Sequence, residues 1–354
     1  MKIGLYDPYL DDIGGGERYM MTIASCLSKN HEVDVFWDDR TNVSEIQKRF
    51  SIDLSKVTLK PNIFRQDFSK VKKLKVSKNY DLIILLSDGS IPFLLSKKTF
   101  LHMQQPISHS LSFKDRLKLK KIDKIFCNSS YTKDFIEKNY GVTCSLLYPP
   151  VSIFRTKINK ENMILHVGRF RVVNVKSNDY KKQQFMIDTF KKMVDEGLLG
   201  WKFLLGISVG DVRDQKFQKM KNSIKGYPIE FLVNQTKDKL WGQASRAKIY
   251  WHATGYGEDL KKNPQLAEHF GISTVEAMGV GAVPVVINAG GQKEIVEDGV
   301  NGFLWESSEE FKEKTIKLIK SDKLLKKMSE EAYARSKYFS EESFCKRVYD
   351  LIND

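Results

Sequence analysis

Two glutamates stand at a spacing that can bring both carboxylates to one site. Glu268 and Glu276 are separated by seven residues. Between them the chain passes through Gly271, and a helix is predicted to begin near Ser273 and to end at Gly279. One carboxylate would therefore lie in the loop before the helix, and the other about one turn inside it. The pattern predicts two acids that reach one crevice from different directions.

Glycines mark further places where the backbone must approach another group closely. Gly290 and Gly291 follow an apolar run, Val283–Ile287, that predicts a buried strand. The run Gly14–Gly16 stands directly before an apolar-periodic helix that is predicted from about residue 17 to residue 29. Glycines at a strand-to-helix turn let backbone N–H groups face a ligand, and a helix N-terminus favours an anion. The sequence therefore predicts an anion-binding turn near the start of the chain.

Two cations follow a similar strand in the second half of the chain. Arg169 comes just after a predicted strand, Met163–Val167, and Lys181 begins a predicted apolar helix. Arginine offers a planar fork of donors to phosphate oxygens, and lysine offers a compact point charge. Either residue alone could be an ordinary exposed cation. In this order after a strand they predict a phosphate-binding pair, with Lys182 as the alternative to Lys181.

Alternating strands and helices must position these groups. Such alternation predicts parallel sheets in doubly wound α/β domains, which bind ligands beyond the carboxyl ends of their strands. Asp88 and His102 lie at or just after the ends of predicted strands, as does the turn Gly14–Gly16. Consecutive prolines, Pro149 and Pro150, predict a linker between two halves. We therefore predict two domains, each with its own crevice.

The pattern resembles the signature of the retaining glycosyltransferases of family 4. That signature is an acid, seven residues and a second acid followed by Ala-Met, then a strand and the motif GG-x-x-E. The matching residues are Glu268, Glu276-Ala277-Met278, Pro284-Val285-Val286, Gly290-Gly291 and Glu294. The resemblance implies the α/β architecture called GT-B, in which two Rossmann-like doubly wound domains face each other across a cleft. The acceptor-binding domain would comprise residues 1–150 plus about 338–354, where the last helix crosses back, and the nucleotide-sugar domain would comprise residues 151–337.

Roles for individual residues follow from the resemblance. Arg169 and Lys181 would neutralise the diphosphate of a sugar nucleotide. Glu268 would contact hydroxyl groups of the donor sugar, and Glu276 would accept hydrogen bonds from the ribose. His102 would face the donor sugar and the acceptor. The catalytic set would thus be His102, Arg169, Lys181 and Glu268.

The remaining donor-binding residues are also carried over by the resemblance. Gly15 and Gly16 would lie against the donor diphosphate and the acceptor, and Asn234 would lie beside the nucleotide base. Backbone N–H groups from Phe270, Gly271, Ile272 and Ser273 would hold the departing phosphate. His109 is the competing candidate for the part assigned to His102.

The reaction that the resemblance implies is transfer of a hexosyl group with retention at the anomeric carbon. GDP-mannose is the first expectation for the donor, because the tail EHFGIS resembles mannosyltransferases, and a UDP-hexose is the second. The chain contains no Asp-x-Asp, so we expect no metal and no other cofactor. Two alternatives stay open: a non-catalytic protein on the same fold that binds sugar nucleotides or polyanions, and a related GT-B epimerase or phosphorylase.

Composition limits the possible partners. The 354 residues carry a formal charge of +14, with lysine runs at residues 70–78 and 114–124. An anionic membrane or a polyanionic substrate could explain these runs, as could solvated helix faces; nucleic acid is the weakest reading, since no such motif is present. The resemblance implies a lipid-linked or glycan acceptor. We expect the protein on the cytosolic side, with peripheral attachment to a membrane as one option. The four cysteines lack metal-ligand spacing and are expected to be reduced, partly buried thiols: Cys26, Cys127, Cys144 and Cys345.

Overall fold

The computed structural model describes residues 1–12, 14–87, 89–107, 111–153, 158–170 and 179–354. These residues form two compact units. The N-terminal unit comprises Met1–Pro150 together with Phe339–Asp354, and the C-terminal unit comprises Val151–Tyr338. Each unit contains its own parallel sheet.

The N-terminal unit is built on a parallel sheet of seven strands among the described residues, in the order β3-β2-β1-β4-β5-β6-β7. Its strands are β1 (Lys2–Tyr6), β2 (Glu32–Phe36), β3 (Val57–Lys60), β4 (Leu82–Ser87), β5 (Lys98–Met103), β6 (Lys124–Cys127) and β7 (Cys144–Leu146). The helices that precede the domain linker are α1 (Gly15–Leu27), α2 (Arg40–Phe50), α3 (Lys70–Ser77), α4 (Phe113–Leu119) and α5 (Ser130–Tyr140). The strand β4 is buried along its whole length, because helices cover both faces of the sheet.

The C-terminal unit is built on a second parallel sheet, with six strands among the described residues in the order β10-β9-β8-β11-β12-β13. Its strands are β8 (Glu161–Arg169), β9 (Lys202–Ser208), β10 (Ile229–Val233), β11 (Ala247–His252), β12 (Val283–Ile287) and β13 (Phe303–Trp305). Its helices are α6 (Gln183–Asp195), α7 (Gln215–Ser223), α8 (Lys237–Ala244), α9 (Ile272–Gly279), α10 (Gln292–Ile295), α11 (Ser308–Ile319) and α12 (Asp322–Ser336). Among the described residues, no helix is both long enough and apolar enough to span a membrane.

The last helix of the chain, α13 (Glu341–Asn353), packs against α1 in the N-terminal unit. Its buried side chains Phe344 and Val348 belong to the same core cluster as Met20 of α1. The phenol of Tyr349 donates a hydrogen bond of 2.7 Å to the carbonyl of Cys26. The first and last helices of the chain therefore share one core.

The cysteine prediction was half wrong, because Cys26 and Cys345 form a disulfide. Their Cα atoms lie 5.4 Å apart, although 319 positions separate them in sequence. Spacing along the chain could not reveal this pair, since only the return of α13 to α1 brings the two thiols together. Cys127 and Cys144 are free and buried, as expected for structural thiols.

Each sheet reverses its strand order at one place. In the N-terminal unit the reversal lies between β1 and β4, and in the C-terminal unit it lies between β8 and β11. Parallel α/β sheets leave a ligand-binding crevice beyond the carboxyl ends of the strands at such a point. Tyr6 and Ser87 end the first pair of strands, and Arg169 and His252 end the second pair. The fold thus indicates where a ligand should bind in each unit.

Candidate active site

The switch point of the C-terminal unit brings Lys181 and Glu268 together. The Lys181 Nζ lies 2.6 Å from Glu268 Oε2, and only 17% and 20% of the two side chains are exposed. Burial opposes ionisation of Glu268, but the Lys181 ammonium and a hydrogen bond from His252 outweigh it and hold the pKa of Glu268 well below its usual range. At neutral pH the site therefore contains a carboxylate paired with an ammonium.

The turn before α6 fixes the position of Lys181. The carboxylate of Asp179 accepts hydrogen bonds from the amides of Gln183 and Gln184, so that it caps the helix. Lys182 has a left-handed backbone, with φ of 56°, and its ammonium pairs with Glu258. Between the two neighbouring lysines, it is therefore Lys181 that meets Glu268.

A second contact ties the same two segments together. The Tyr180 hydroxyl donates to the carbonyls of Gln265 and Ala267, at 3.2 and 3.3 Å. The Lys181 ammonium lies 5.1 Å above the Tyr180 ring centroid. The segment that ends at Glu268 is thus held by both side chains of the Tyr180-Lys181 pair.

Gly290 and Gly291 contact the backbone of Glu268 and hold it in place. The Gly291 amide donates to the Glu268 carbonyl at 2.8 Å. A Cβ added to Gly290 would lie 2.2 Å from that carbonyl oxygen, and one added to Gly291 would lie 2.4 Å from the Phe270 Cα. The sequence predicted that these glycines approach another group closely. That group is the backbone of the loop that carries Glu268.

The helix α9 begins directly after this loop. Gly271 precedes it with φ of 123°, and Ile272 and Ser273 open its first turn. The first N–H groups of a helix have no carbonyl partner within the helix, so they can face an anion. The Ser273 hydroxyl lies 2.8 Å from the Tyr250 hydroxyl of β11, which fixes this end of the helix on the sheet. Phe270 is buried beside it.

The second acid lies on α9, as predicted. Glu276 is the fifth residue of the helix, and its carboxylate lies 3.7 Å from the ammonium of Lys237 at the start of α8. The side chain of Glu276 is mostly buried, with 12% exposed. A loop acid and a helix acid are thus present in the arrangement that the spacing predicted, and each has a lysine beside it.

Two predicted site residues have different surroundings from those expected. Arg169 is the last residue of β8, since that strand continues two residues beyond the predicted end. Asn234 follows β10 with φ of 50°, and its amide accepts from the Val209 N–H at 2.8 Å and donates to the Val209 carbonyl at 3.0 Å. The side chain of Asn234 therefore holds the loop after β9, and only its placement at the strand end matches the expectation.

The glycine turn of the N-terminal unit carries acids of its own. The Gly14 amide donates to the Glu17 carboxylate at 2.7 Å, and Gly15 opens α1. A Cβ added to Gly16 would lie 2.5 Å from the Gln104 side chain. Asp7 lies after β1, and burial together with the nearby Glu17 raises its pKa to about 8. Asp7 is therefore largely protonated at neutral pH, which limits the negative charge beside the turn.

The expectation that His102 faces a ligand was wrong for this structure. His102 lies within β5 and is fully buried. Its ring stacks on Tyr19 and Phe126, with centroids 4.2 and 4.8 Å away, and its Nδ1 lies 3.3 Å from the Phe126 carbonyl. Burial lowers its pKa to about 3. Strand β5 ends at Met103, one residue after His102, and the His102 imidazole packs into the core instead of facing the crevice. The other candidates, Asp88 and His109, lie outside the described residues.

Comparison with known families is decisive at this point. Residues 152–335 match the family model described as glycosyl transferases group 1, and residues 13–153 match that of glycosyltransferase family 4. The chain belongs to the group 1 glycosyl transferases. The GT-B class inferred from the sequence is confirmed by this match together with the two Rossmann-like sheets.

Relatives of this group 1 glycosyl transferase include mannosyltransferases. The GDP-Man:Man(3)GlcNAc(2)-PP-Dol alpha-1,2-mannosyltransferase of Dictyostelium discoideum is 29% identical over 251 residues, covering 63% of this chain and 46% of the relative. The human protein of the same name is 26% identical over 247 residues, with the same coverage of 63% and 46%. An uncharacterised glycosyltransferase of Methanocaldococcus jannaschii is 27% identical, covering 66% and 60%. The chain spans about half the length of the mannosyltransferases that it matches.

Solved glycosyltransferase structures share the fold along the whole chain. HepE of Anabaena, in complex with UDP and glucose, superposes with a TM-score of 0.72 at 18% identity and covers 100% of this chain and 99% of its own. A glycosyltransferase of Rickettsia africae superposes with a TM-score of 0.73 at 16% identity, covering 99% and 97%. At these identities the likeness establishes the fold.

One residue of the candidate site was not predicted from the sequence. His252 is the last residue of β11 and contacts Glu268, yet no pattern in the sequence had singled it out. The available signal was its place, because a polar residue at the carboxyl end of a buried parallel strand lies where ligands bind. Within the described residues, no group of three His, Cys, Asp or Glu side chains is arranged to hold a metal ion.

Proposed function

We propose that this chain transfers a hexosyl group from a nucleoside diphosphate sugar, with retention at the anomeric carbon and without a metal ion. The observation that carries the proposal is the pairing of Lys181 with Glu268 at the switch point that Arg169 borders. A sugar nucleotide presents two groups with opposite needs, a diphosphate that requires cations and a sugar whose hydroxyls require acceptors. The paired side chains can supply one partner to each.

The proposed mechanism makes stabilisation of the leaving group the main catalytic task. The bond between the anomeric carbon and the phosphate oxygen breaks, and its electron pair stays on the phosphate. The acceptor oxygen forms the new bond on the same face of the sugar and gives its proton to the departing phosphate. Arg169, Lys181 and the amides that open α9 would stabilise the charge that develops there.

The two acids divide the rest of the donor between them in this proposal. Glu276 accepts hydrogen bonds from the ribose hydroxyls, and Glu268 accepts them from the sugar. Mannose is the favoured sugar, because several relatives are named as mannosyltransferases that use GDP-mannose. A UDP-hexose is the second candidate, because HepE was crystallised with UDP.

A panel of nucleotides tests this proposal. Thermal shift with GDP, UDP, ADP and their hexose derivatives should select one base, and calorimetry should confirm the affinity. Donor hydrolysis without acceptor would then distinguish an enzyme from a binding protein, and the anomeric configuration of the product would report retention. Failure of every nucleoside diphosphate to stabilise the protein would contradict the proposal.

The proposed acceptor is lipid-linked and is reached at an anionic membrane. Helix α4 carries Phe113, which is 77% exposed, and Leu117, among lysines. Helix α3 carries Val71, which is 62% exposed, in the run KVKKLKVS. Apolar side chains that protrude between lysines suit the interface of an anionic bilayer.

A groove lies beside these two helices in the N-terminal unit. It has a volume of about 640 Å³, and apolar side chains such as Leu74 and Ile91 line it. Lys70, Lys73 and Lys118 line it as well. Burial and the two neighbouring ammonium groups lower the pKa of Lys73, which indicates that the three cations converge. An apolar groove beside converging cations suits a phosphate attached to a lipid chain.

Vesicle binding tests the membrane proposal. Each lysine near an anionic surface contributes about 1 kcal/mol, so a fourfold change should release the protein. The test variant replaces four lysines in and after α4 with Gln: Lys114, Lys118, Lys120 and Lys121. The control variant replaces four exposed lysines at and after the end of α11: Lys320, Lys323, Lys326 and Lys327. We expect wild type and control to co-sediment with anionic vesicles at low salt, and the test variant to stay in solution. Equal binding by both variants would contradict the proposal.

A further inference from the structure

A buried histidine contacts the acid of the candidate site. His252 is 1% exposed and ends β11, which is paired with β8 on one side and with β12 on the other. Its Nε2 lies 3.0 Å from Glu268 Oε2 and 3.2 Å from Thr254 Oγ1. The backbone of this residue is therefore fixed by the sheet, while its ring reaches Glu268, which also pairs with Lys181.

The contacts of the ring fix its protonation state. Burial lowers the pKa of His252, so the ring is neutral at neutral pH. Glu268 is ionised and can only accept, which requires the proton of the neutral imidazole to be on Nε2. The Nδ1 atom is buried, and none of the residues that the structure describes offers it a hydrogen bond. A bare ring nitrogen suits that place better than a buried N–H would, since an unpaired donor is costly. His252 is thus a neutral donor aimed at Glu268.

The two partners of Glu268 share one oxygen. Both Lys181 Nζ and His252 Nε2 contact Oε2, and neither contact uses Oε1. Lys181 is the partner that a diphosphate would attract, because an ammonium on a flexible chain can move toward a new anion. His252 has no such freedom. When the cation turns toward a phosphate, the histidine keeps its hold on Oε2.

From this arrangement we infer that His252 is a positioning residue, which holds the Glu268 carboxylate so that Oε1 meets the donor sugar while Lys181 exchanges Glu268 for the donor phosphate. The inference rests on the proposed function, since it assigns the sugar to Glu268. The inference predicts different effects on the affinity for the nucleoside diphosphate and on the affinity for the sugar. Contacts to the nucleoside diphosphate should not depend on His252, whereas contacts to the sugar should.

The experiment compares the affinity for a sugar nucleotide with the affinity for the bare nucleoside diphosphate. The probes are GDP-mannose and GDP, or UDP-glucose and UDP if the nucleotide panel selects uridine. His252→Phe keeps a planar ring and removes the donor, and His252→Gln keeps an N–H donor. We expect the Phe variant to lose about tenfold in affinity for the sugar nucleotide, the lower end of the effect of removing an outer partner of a site residue. Its affinity for the bare diphosphate should change by less than about threefold, and the Gln variant should recover most of the loss.

The same His252 variants are also measured in a protein that carries Glu268→Gln. If His252 acts through Glu268, adding His252→Gln or His252→Phe to Glu268→Gln should cause no further loss of sugar-nucleotide affinity. If the Phe variant does not fold, His252→Leu, which also lacks a donor, takes its place in both backgrounds. The inference is overturned by a loss of bare-diphosphate affinity equal to that of the sugar nucleotide, by unchanged affinity for both probes, or by an equal further loss in the Glu268→Gln background. Absence of any nucleotide binding by wild type would instead refute the proposed function.

Discussion

The ion pair between Lys181 and Glu268 can be measured without knowing any substrate. Lys181→Met removes the ammonium and keeps most of the side-chain length. A hydrogen bond to a charged group contributes about 1.5–3 kcal/mol, and breaking a buried pair costs about 3–5 kcal/mol. Both side chains are about one-fifth exposed, and Glu268 retains His252. We therefore expect the free energy of unfolding to fall by about 2 kcal/mol, near the lower bound.

A double-mutant cycle isolates the pair. Glu268→Gln alone should cost about 1 kcal/mol, because the longer, mobile Lys181 can reach solvent. The double variant should be less destabilised than the sum of the two single variants, with a coupling of about 1–2 kcal/mol. For a domain of this size, 1 kcal/mol corresponds to about 2–4 °C in Tm, so differential scanning calorimetry resolves the effect. Additivity within about 0.5 kcal/mol would refute the pairing.

Acidification provides a second readout of the same pair. The folded-state pKa of Glu268 lies below its ordinary value of 4.5. The stabilisation is therefore fully present above that value and is lost as the pH falls through the folded-state pKa. Between pH 7 and pH 5 the Tm difference between wild type and Glu268→Gln should stay constant, and it should shrink at lower pH. A difference that is unchanged down to pH 2.5 would contradict this assignment.

Three further predictions concern other parts of the chain. Arg169→Ala should lower turnover with saturating donor by about 100- to 1,000-fold, as loss of a preorganised anion-stabilising donor does; near-normal turnover would remove Arg169 from the phosphate site. Glu276→Gln should weaken binding of the bare nucleoside diphosphate in calorimetry, whereas Glu268→Gln should spare it, and equal losses would contradict the division of roles. Cys345→Ser should destabilise the N-terminal unit by about 2–4 kcal/mol while leaving nucleotide affinity unchanged; a Tm equal to that of non-reduced wild type would show that the disulfide with Cys26 does not form.

The elements that hold the candidate site were predictable because local patterns determine them. The run Val283–Ile287 is apolar and bounded by glycines, and the structure has a strand at these residues. The spacing between Glu268 and Glu276 placed one acid in a loop and one on a helix, and both are there. Periodicity and glycine positions report on neighbours within about ten residues, which is the range over which these elements form.

Contacts between distant segments were beyond the reach of local patterns. The disulfide joins residues 26 and 345, and the histidine that contacts Glu268 lies 16 residues before it, at the end of β11. His102 shows the same limit, because its place near the end of a strand did not reveal that its ring packs on Tyr19 of α1 and Phe126 of β6. The sequence indicated that Gly290 and Gly291 pack closely against another group. It did not indicate which group, because that group is the backbone of Glu268 and Phe270, more than twenty residues earlier.

The shared core of α1 and α13 has a consequence for how the chain is made. The first 150 residues are synthesised before any residue of α13, so they lack Phe344, Val348, Leu351 and Ile352 of their core cluster until α13 itself has been synthesised. The C-terminal unit, by contrast, is one continuous segment and is complete as soon as it has emerged. The usual order, in which the N-terminal domain folds first, would then be reversed. The nascent N-terminal unit would have to avoid aggregation with an incomplete core, and a stop codon just before α13 would damage this unit although residues 1–150 were intact.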